Sequence, residues 1–128
     1  MNTLALIVED DADAVVIFSE ALQQAGLAVE VAFNGNQALR RLAERVPDLI
    51  VLDWHLPHAS GRDVLDFVQA DARFEDTLVI LASADILAGE KITGRVEVLI
   101  KPVGFKQLRD LVKRYAENSH RGTEDAEL

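Results

Sequence analysis

The stretch Leu49-Ile50-Val51-Leu52-Asp53-Trp54-His55-Leu56-Pro57 decides how the chain folds. Four consecutive aliphatic residues leave no polar face for water, so a strand built from them must be covered on both sides, as in the middle of a parallel sheet. The run stops on a carboxylate, and Pro57 then breaks regular structure. Two other runs share this character. Leu4–Val8 ends on Glu9-Asp10-Asp11, and Leu78–Ala82 ends on Ser83-Ala84. Two more differ. Leu27–Phe33 sets Val29, Val31 and Phe33 against Ala28, Glu30 and Ala32, while Val96–Ile100 carries Glu97. A charge inside a strand guards an edge against pairing with another chain. Three strands are therefore expected in the centre of a sheet and two at its edges.

Helical periods fill the gaps. Val15, Phe18, Leu22 and Ala25 make one stripe, closed by Gly26. Ala38, Leu39, Leu42 and Val46 make a second, ended by Pro47. Val64, Leu65 and Val68 make a third, and Phe105, Leu108, Leu111, Val112 and Tyr115 the last. The segment Asp85–Gly94, interrupted by Gly89 and Gly94, reads as a short or frayed helix. The expected fold is α/β, a doubly wound (βα)5 domain with parallel strands and helices on both faces. It occupies residues 1–116, and residues 117–128 are expected to be a disordered acidic tail or linker stub.

Composition excludes several functions. The 128 residues carry 13 Lys+Arg against 22 Asp+Glu, a net charge of −9, which argues against nucleic acid or an anionic membrane as the main target. Without cysteine there is no disulfide framework, thiol nucleophile or cysteine-ligated metal. The longest apolar runs, of five residues, are far too short to span a bilayer. Met1-Asn2-Thr3 lacks the basic region of a signal peptide, so a cytoplasmic location is expected. The charge is unevenly spread. Residues 1–90 carry 5 basic and 16 acidic side chains, 91–114 carry 7 and 2, and 115–128 carry 1 and 4.

In an open parallel sheet, ligands bind beyond the C-terminal strand ends. Those ends here carry Glu9, Asp10 and Asp11 after the first strand, Asp53 after the third, Ser83 after the fourth and Lys101 after the fifth. Any one alone is an ordinary turn or cap residue, and Asp11 and Asp13 are expected to cap the first helix and favour its dipole. Together they make a site. Glu9, Asp10 and Asp53 offer only oxygen ligands, which select a hard cation such as Mg²⁺. A cation, a lysine and a hydroxyl around one carboxylate suit phosphoryl transfer with Asp53 as nucleophile.

These residues resemble the receiver domain of two-component response regulators over residues 3 to about 116. The matching pieces are Ile7-Val8-Glu9-Asp10-Asp11, Leu49 to Pro57 followed by Gly61, Leu81-Ala82-Ser83-Ala84 and Leu99-Ile100-Lys101-Pro102. The resemblance implies a flavodoxin-like three-layer sandwich with sheet order 2-1-3-4-5. It implies that Asp53 accepts a phosphoryl group from phosphohistidine on a sensor histidine kinase or histidine phosphotransfer protein. Asp10 would ligate Mg²⁺ with Glu9, Asp53 and the backbone carbonyl of His55. Ser83 and Lys101 would contact the phosphoryl group, and the Lys101-Pro102 bond would be cis. His55, Ala84 and Asp85 would modulate the lifetime of the phosphorylated form.

Two departures bear on output. Val98 stands where the family commonly has an aromatic switch residue, and the interval from Ser83 to Lys101 is short. The output partner is left open, as is a homodimer through the fourth helix, fifth strand and last helix. Two other functions compete. One is a pseudo-receiver that binds without phosphorylation. The other is a haloacid-dehalogenase-like phosphatase suggested by Asp11-Ala12-Asp13, which lies too far into the helix for that chemistry.

Overall fold

A computed structural model of the protein describes residues 3–56, 60–84 and 92–127, with side chains described as far as residue 116. In chain order the elements are β1 (Leu4–Val8), α1 (Ala12–Gln24), β2 (Ala28–Ala32), α2 (Gly35–Glu44), β3 (Leu49–Asp53), α3 (Gly61–Gln69), a 3₁₀ turn (Ala72–Phe74), β4 (Leu78–Ser83), β5 (Val96–Ile100) and α4 (Phe105–Glu127). All strands are parallel, in the order β2-β1-β3-β4-β5. The three uninterrupted apolar runs are the three central strands, and the two that carry a glutamate are the edges.

Alternation along each central strand divides the interior into two cores. Ala5 and Ile7 of β1, Leu49 and Val51 of β3, and Leu78, Ile80 and Ala82 of β4 face one side. There they meet Phe18, Ala21 and Leu22 of α1 and Leu108 and Val112 of α4. Their neighbours Leu6, Val8, Ile50, Leu52, Val79 and Leu81 face the other side, against Ala38 and Leu42 of α2 and Val64, Leu65 and Val68 of α3. Each large aliphatic side chain so buried contributes about 1.5–3 kcal/mol, which is why an all-apolar run is stable only between two layers.

The local signals act as expected at most helix ends. Asp11 N-caps α1 by accepting from the Asp13 amide, and Asp13 lies in the first turn. Gly26, at φ +96°, closes α1 in a conformation that a side chain would strain. Ser60 and Asp63 form a reciprocal capping box on α3.

Two expectations are corrected. The apolar stripe of α2 extends in sequence to Val46, but the helix ends at Glu44 and Val46 is 44% exposed. Pro47 disfavours helical backbone before it, and Arg45 is already extended. Phe33 was counted in the second strand, which stops at Ala32 and leaves Phe33 half-exposed with its N–H on the Gln37 side chain. The edge reading of Glu30 gains a cause, since its carboxylate receives Arg45 at 2.5 Å and Arg41 at 3.7 Å. Most of the segment expected to hold a short helix, residues 85–91, lies outside the described residues, as does Asp85.

Candidate functional site

The C-terminal ends of β1, β3 and β4 bring Glu9, Asp53 and Ser83 to the same edge of the sheet. All three side chains are buried, at 1%, 3% and 0% exposed. Glu9 is held by its chain position. Its N–H donates to Ala32 of β2, and its Oε2 accepts from the amides of Asp10 at 3.1 Å and Asp11 at 3.2 Å. Asp10, next in sequence, is exposed. Asp53 is the last residue of β3 and pairs in register with Ala82. Its Oδ1 accepts from the His55 amide at 3.1 Å, so the chain turns back on the carboxylate it has just delivered.

Lys101 crosses from the far side. Its amide donates to the Ser83 carbonyl at 2.7 Å, extending the β4–β5 ladder by one bond, and the bond to Pro102 is cis. The ammonium then reaches 3.1 Å from Asp53 Oδ1 and 3.2 Å from Glu9 Oε1. Burial alone would lower the pKa of Lys101. Its hydrogen bond and attraction to Asp53, with the charge of Glu9, outweigh burial and hold the amine above its usual range.

Glu9 moves the other way for a carboxyl. Burial pushes its pKa up from 4.5 to about 7, against the Asp11 amide that favours the charged form, and the Asp53 charge adds to the rise. Its Oε1 is a buried acceptor without a hydrogen bond, although the lysine charge lies close. Such an oxygen is costly unless something else satisfies it.

Ligand oxygens of Glu9, Asp10 and Asp53 lie within 4.8 Å of one another. Three carboxylates at that spacing, one with a buried and unsatisfied oxygen, fit a hard divalent cation such as Mg²⁺. A cation there would relieve the repulsion and add to the single ammonium that now faces Glu9 Oε1.

The structure therefore gathers Glu9, Asp10, Asp53, Ser83 and Lys101 as the sequence order implies. Ala84 lies exposed just past β4, and Val98 is 41% exposed on β5. Sequence reasoning quoted Gly61 but missed what it does. A methyl group there would lie 2.7 Å from the Trp54 carbonyl oxygen, 2.8 Å from Trp54 Cα and 3.0 Å from the Asp53 carbonyl oxygen. The first turn of α3 thus rests on the backbone that carries the Asp53 carboxylate, and only glycine permits the approach. A glycine directly after a helix cap was the available signal.

A doubly wound parallel sheet with an acidic, lysine-bridged site at its C-terminal strand ends defines an α/β domain built for a charged ligand at that edge. A family model for the response regulator receiver domain matches residues 5–113, and the chain belongs to that family of two-component signalling domains. It is 30% identical over 119 residues to sporulation initiation phosphotransferase F of Bacillus subtilis (strain 168), covering 90% of this chain and 94% of that protein. It is 31% identical over 111 residues to the phosphate regulon transcriptional regulatory protein PhoB of Rhizobium meliloti (strain 1021), covering 84% of this chain but only 49% of that one. The chain thus spans about half the length of that relative. Among solved structures, the chemotaxis response regulator CheY4 of Vibrio cholerae superposes with a TM-score of 0.78 at 23% identity, covering 89% of this chain and 98% of that one. A receiver domain of a Pseudomonas aeruginosa PAO1 sensor histidine kinase, with a magnesium ion coordinated in its active site cleft, gives 0.77 at 23% identity, covering 89% and 97%. No helix among the described residues is long and apolar enough to cross a membrane.

Proposed function

We propose that Asp53 is the phosphoacceptor of this receiver and that its donor is a phosphohistidine on a sensor histidine kinase or histidine phosphotransfer protein. The observation that carries this reading is the buried Asp53 carboxylate with the Lys101 ammonium 3.1 Å away, inside a three-carboxylate cluster. A carboxylate oxygen of Asp53 attacks phosphorus. The new P–O bond forms as the P–N bond to the donor imidazole breaks, and the imidazole leaves with the bonding pair. Lys101 stabilises charge on the transferred phosphoryl oxygens, and the Ser83 hydroxyl donates a hydrogen bond to them. Glu9, Asp10, Asp53 and the His55 carbonyl would hold Mg²⁺, which when bound offsets further charge on the phosphoryl group. His55 and Ala84, together with Asp85 two residues after Ser83 in sequence, would tune the lifetime of the acyl phosphate.

The named function of the Bacillus subtilis relative, a phosphotransferase, supports the reading. So does the magnesium ion in the Pseudomonas aeruginosa neighbour. The receiver is assigned to residues 1–116 in a cytoplasmic protein that acts through a downstream protein surface; residues 117–127, expected in a disordered tail, instead continue α4 to Glu127 and serve as a helical linker.

Incubation with acetyl phosphate and Mg²⁺, followed by intact mass measurement, tests this directly. One phosphoryl group is expected on the wild-type chain and none on Asp53→Asn. Modification that persists in Asp53→Asn, or none in the wild type, overturns the assignment.

A further inference from the structure

The acceptor end of β3 is joined mechanically to a second place in the molecule. At its N-terminus α3 sits on the Trp54 backbone at Gly61, and Arg62 stacks over the Trp54 ring at 5.2 Å. At its C-terminus the Gln69 side-chain amide donates to the Thr93 carbonyl. The turn that receives it is shaped for the purpose. Gly94 adopts φ +88°, and a methyl group on it would lie 3.0 Å from Gln69 Nε2. This turn opens β5, since the Gly94 carbonyl accepts from Val96 and the Arg95 carbonyl from Val79. β5 in turn ends beside Lys101, back at the site.

We infer that α3 is a strut that carries displacement of the acceptor loop to the turn opening β5, with Gln69 as its far contact. This rests on Asp53 being the phosphoacceptor. The sheet offers a poor route outward, because every residue of β3 and β4 is buried in close packing. A nine-residue helix with Val64, Leu65 and Val68 buried moves as one rigid body. Its first turn has no slack, because the approach at Gly61 is backbone against backbone. A shift of the Trp54 carbonyl therefore becomes a shift of the whole helix, read out where Gln69 holds Thr93. Coupling of this kind is reciprocal, so the 92–95 turn also biases the acceptor loop.

Amide spectra of ¹⁵N-labelled chain, taken before and after phosphorylation with acetyl phosphate and Mg²⁺, test the strut. The Gly61 resonance reports its near end and the Gly94 resonance its far end. In the wild type both are expected to shift. In Gln69→Ala the Gly61 shift is retained and the Gly94 shift is lost. Gln69→Lys, which keeps a donor at that reach, is expected to restore it. Gln69 is exposed, so neither variant threatens the fold. A Gly94 resonance that moves equally in Gln69→Ala, or stays still in a phosphorylated wild type, overturns the strut. Failure of the wild type to gain a phosphoryl group by mass overturns the acceptor assignment instead, and the strut falls with it.

Discussion

Glu9 is ionised at a cost that the rest of the site must offset. Burial holds its pKa at about 7 in the folded chain against 4.5 for an ordinary glutamate, so between those values the folded state binds more protons than the unfolded one. Stability linked to Glu9 is therefore fully present below 4.5 and is lost as pH rises through about 7. The metal-free chain is expected to unfold at lower urea near pH 7.5 than near pH 5, and Glu9→Gln should flatten that difference. Mg²⁺ should act in the opposite sense, raising the midpoint more at the higher pH, where the carboxylate is free to bind it. Lys101 performs part of the same neutralisation. Replacing it by Met leaves two buried carboxylates without their cation and is expected to cost about 1–2 kcal/mol, less than a fully buried pair because the lysine side chain is 30% exposed. Urea midpoints at pH 7.5 check this, and added Mg²⁺ should recover most of the loss. At this scale the sequence was legible by residue type and order. Compatible groups after β1, β3, β4 and β5 named the site, but nothing in the letters said that Glu9 would be nearly inaccessible while Asp10 beside it faces solvent. That division depends on where the chain leaves β1.

Among the elements, α3 shows best what periodicity conveys and what it omits. Val64, Leu65 and Val68 announced the buried stripe, and all three are buried. The close approach at its first residue is invisible to a pattern of apolar positions, because it depends on a backbone neighbour from another element. Gly61→Ala is expected to destabilise the chain by about 1–3 kcal/mol, the usual range for forcing a methyl into filled space. It should also slow acetyl phosphate labelling of Asp53 beyond what the lost stability explains, since the displaced backbone carries that carboxylate. Comparison with Ser60→Ala separates the two effects. That change removes the cap from the same helix end at about 1 kcal/mol but leaves the Asp53 and Trp54 backbone where it is. Equal labelling rates in both variants would show that Gly61 matters only to folding. The two edge strands teach the complementary lesson. Glu30 and Glu97 mark those edges, whereas the ends of β2 at Ala32 and of helix α2 at Glu44 depend on caps and a following proline rather than on apolar count.

For the molecule as a whole, the two cores determine which parts of the chain the domain can lose. The core between the sheet and the α1–α4 pair includes Leu108 and Val112, with Phe105, Leu111 and Tyr115 packed against it. These residues span three turns of α4, and the last of them also donates from its hydroxyl to the Asp76 carbonyl at 3.3 Å, while Arg95 lies over its ring at 5.2 Å. Tyr115 therefore ties the end of the apolar stripe to the entries of β4 and β5. The sequence places a boundary here, where an apolar period gives way to a polar, acidic stretch, although the helix itself continues to Glu127. Deleting residues 117–128 is accordingly expected to leave the thermal midpoint nearly unchanged and Asp53 labelling intact. Deleting from Phe105 onward removes Leu108 and Val112, each worth about 1.5–3 kcal/mol, together with three partly buried partners. It also uncovers the apolar faces of Ile7, Val51 and Ile80. Against a total stability of about 5–15 kcal/mol, that loss is enough to unfold the domain. Circular dichroism melts of the two truncations decide the matter. Unfolding of the shorter deletion would move the boundary of the receiver beyond residue 116 and make the last part of α4 structural.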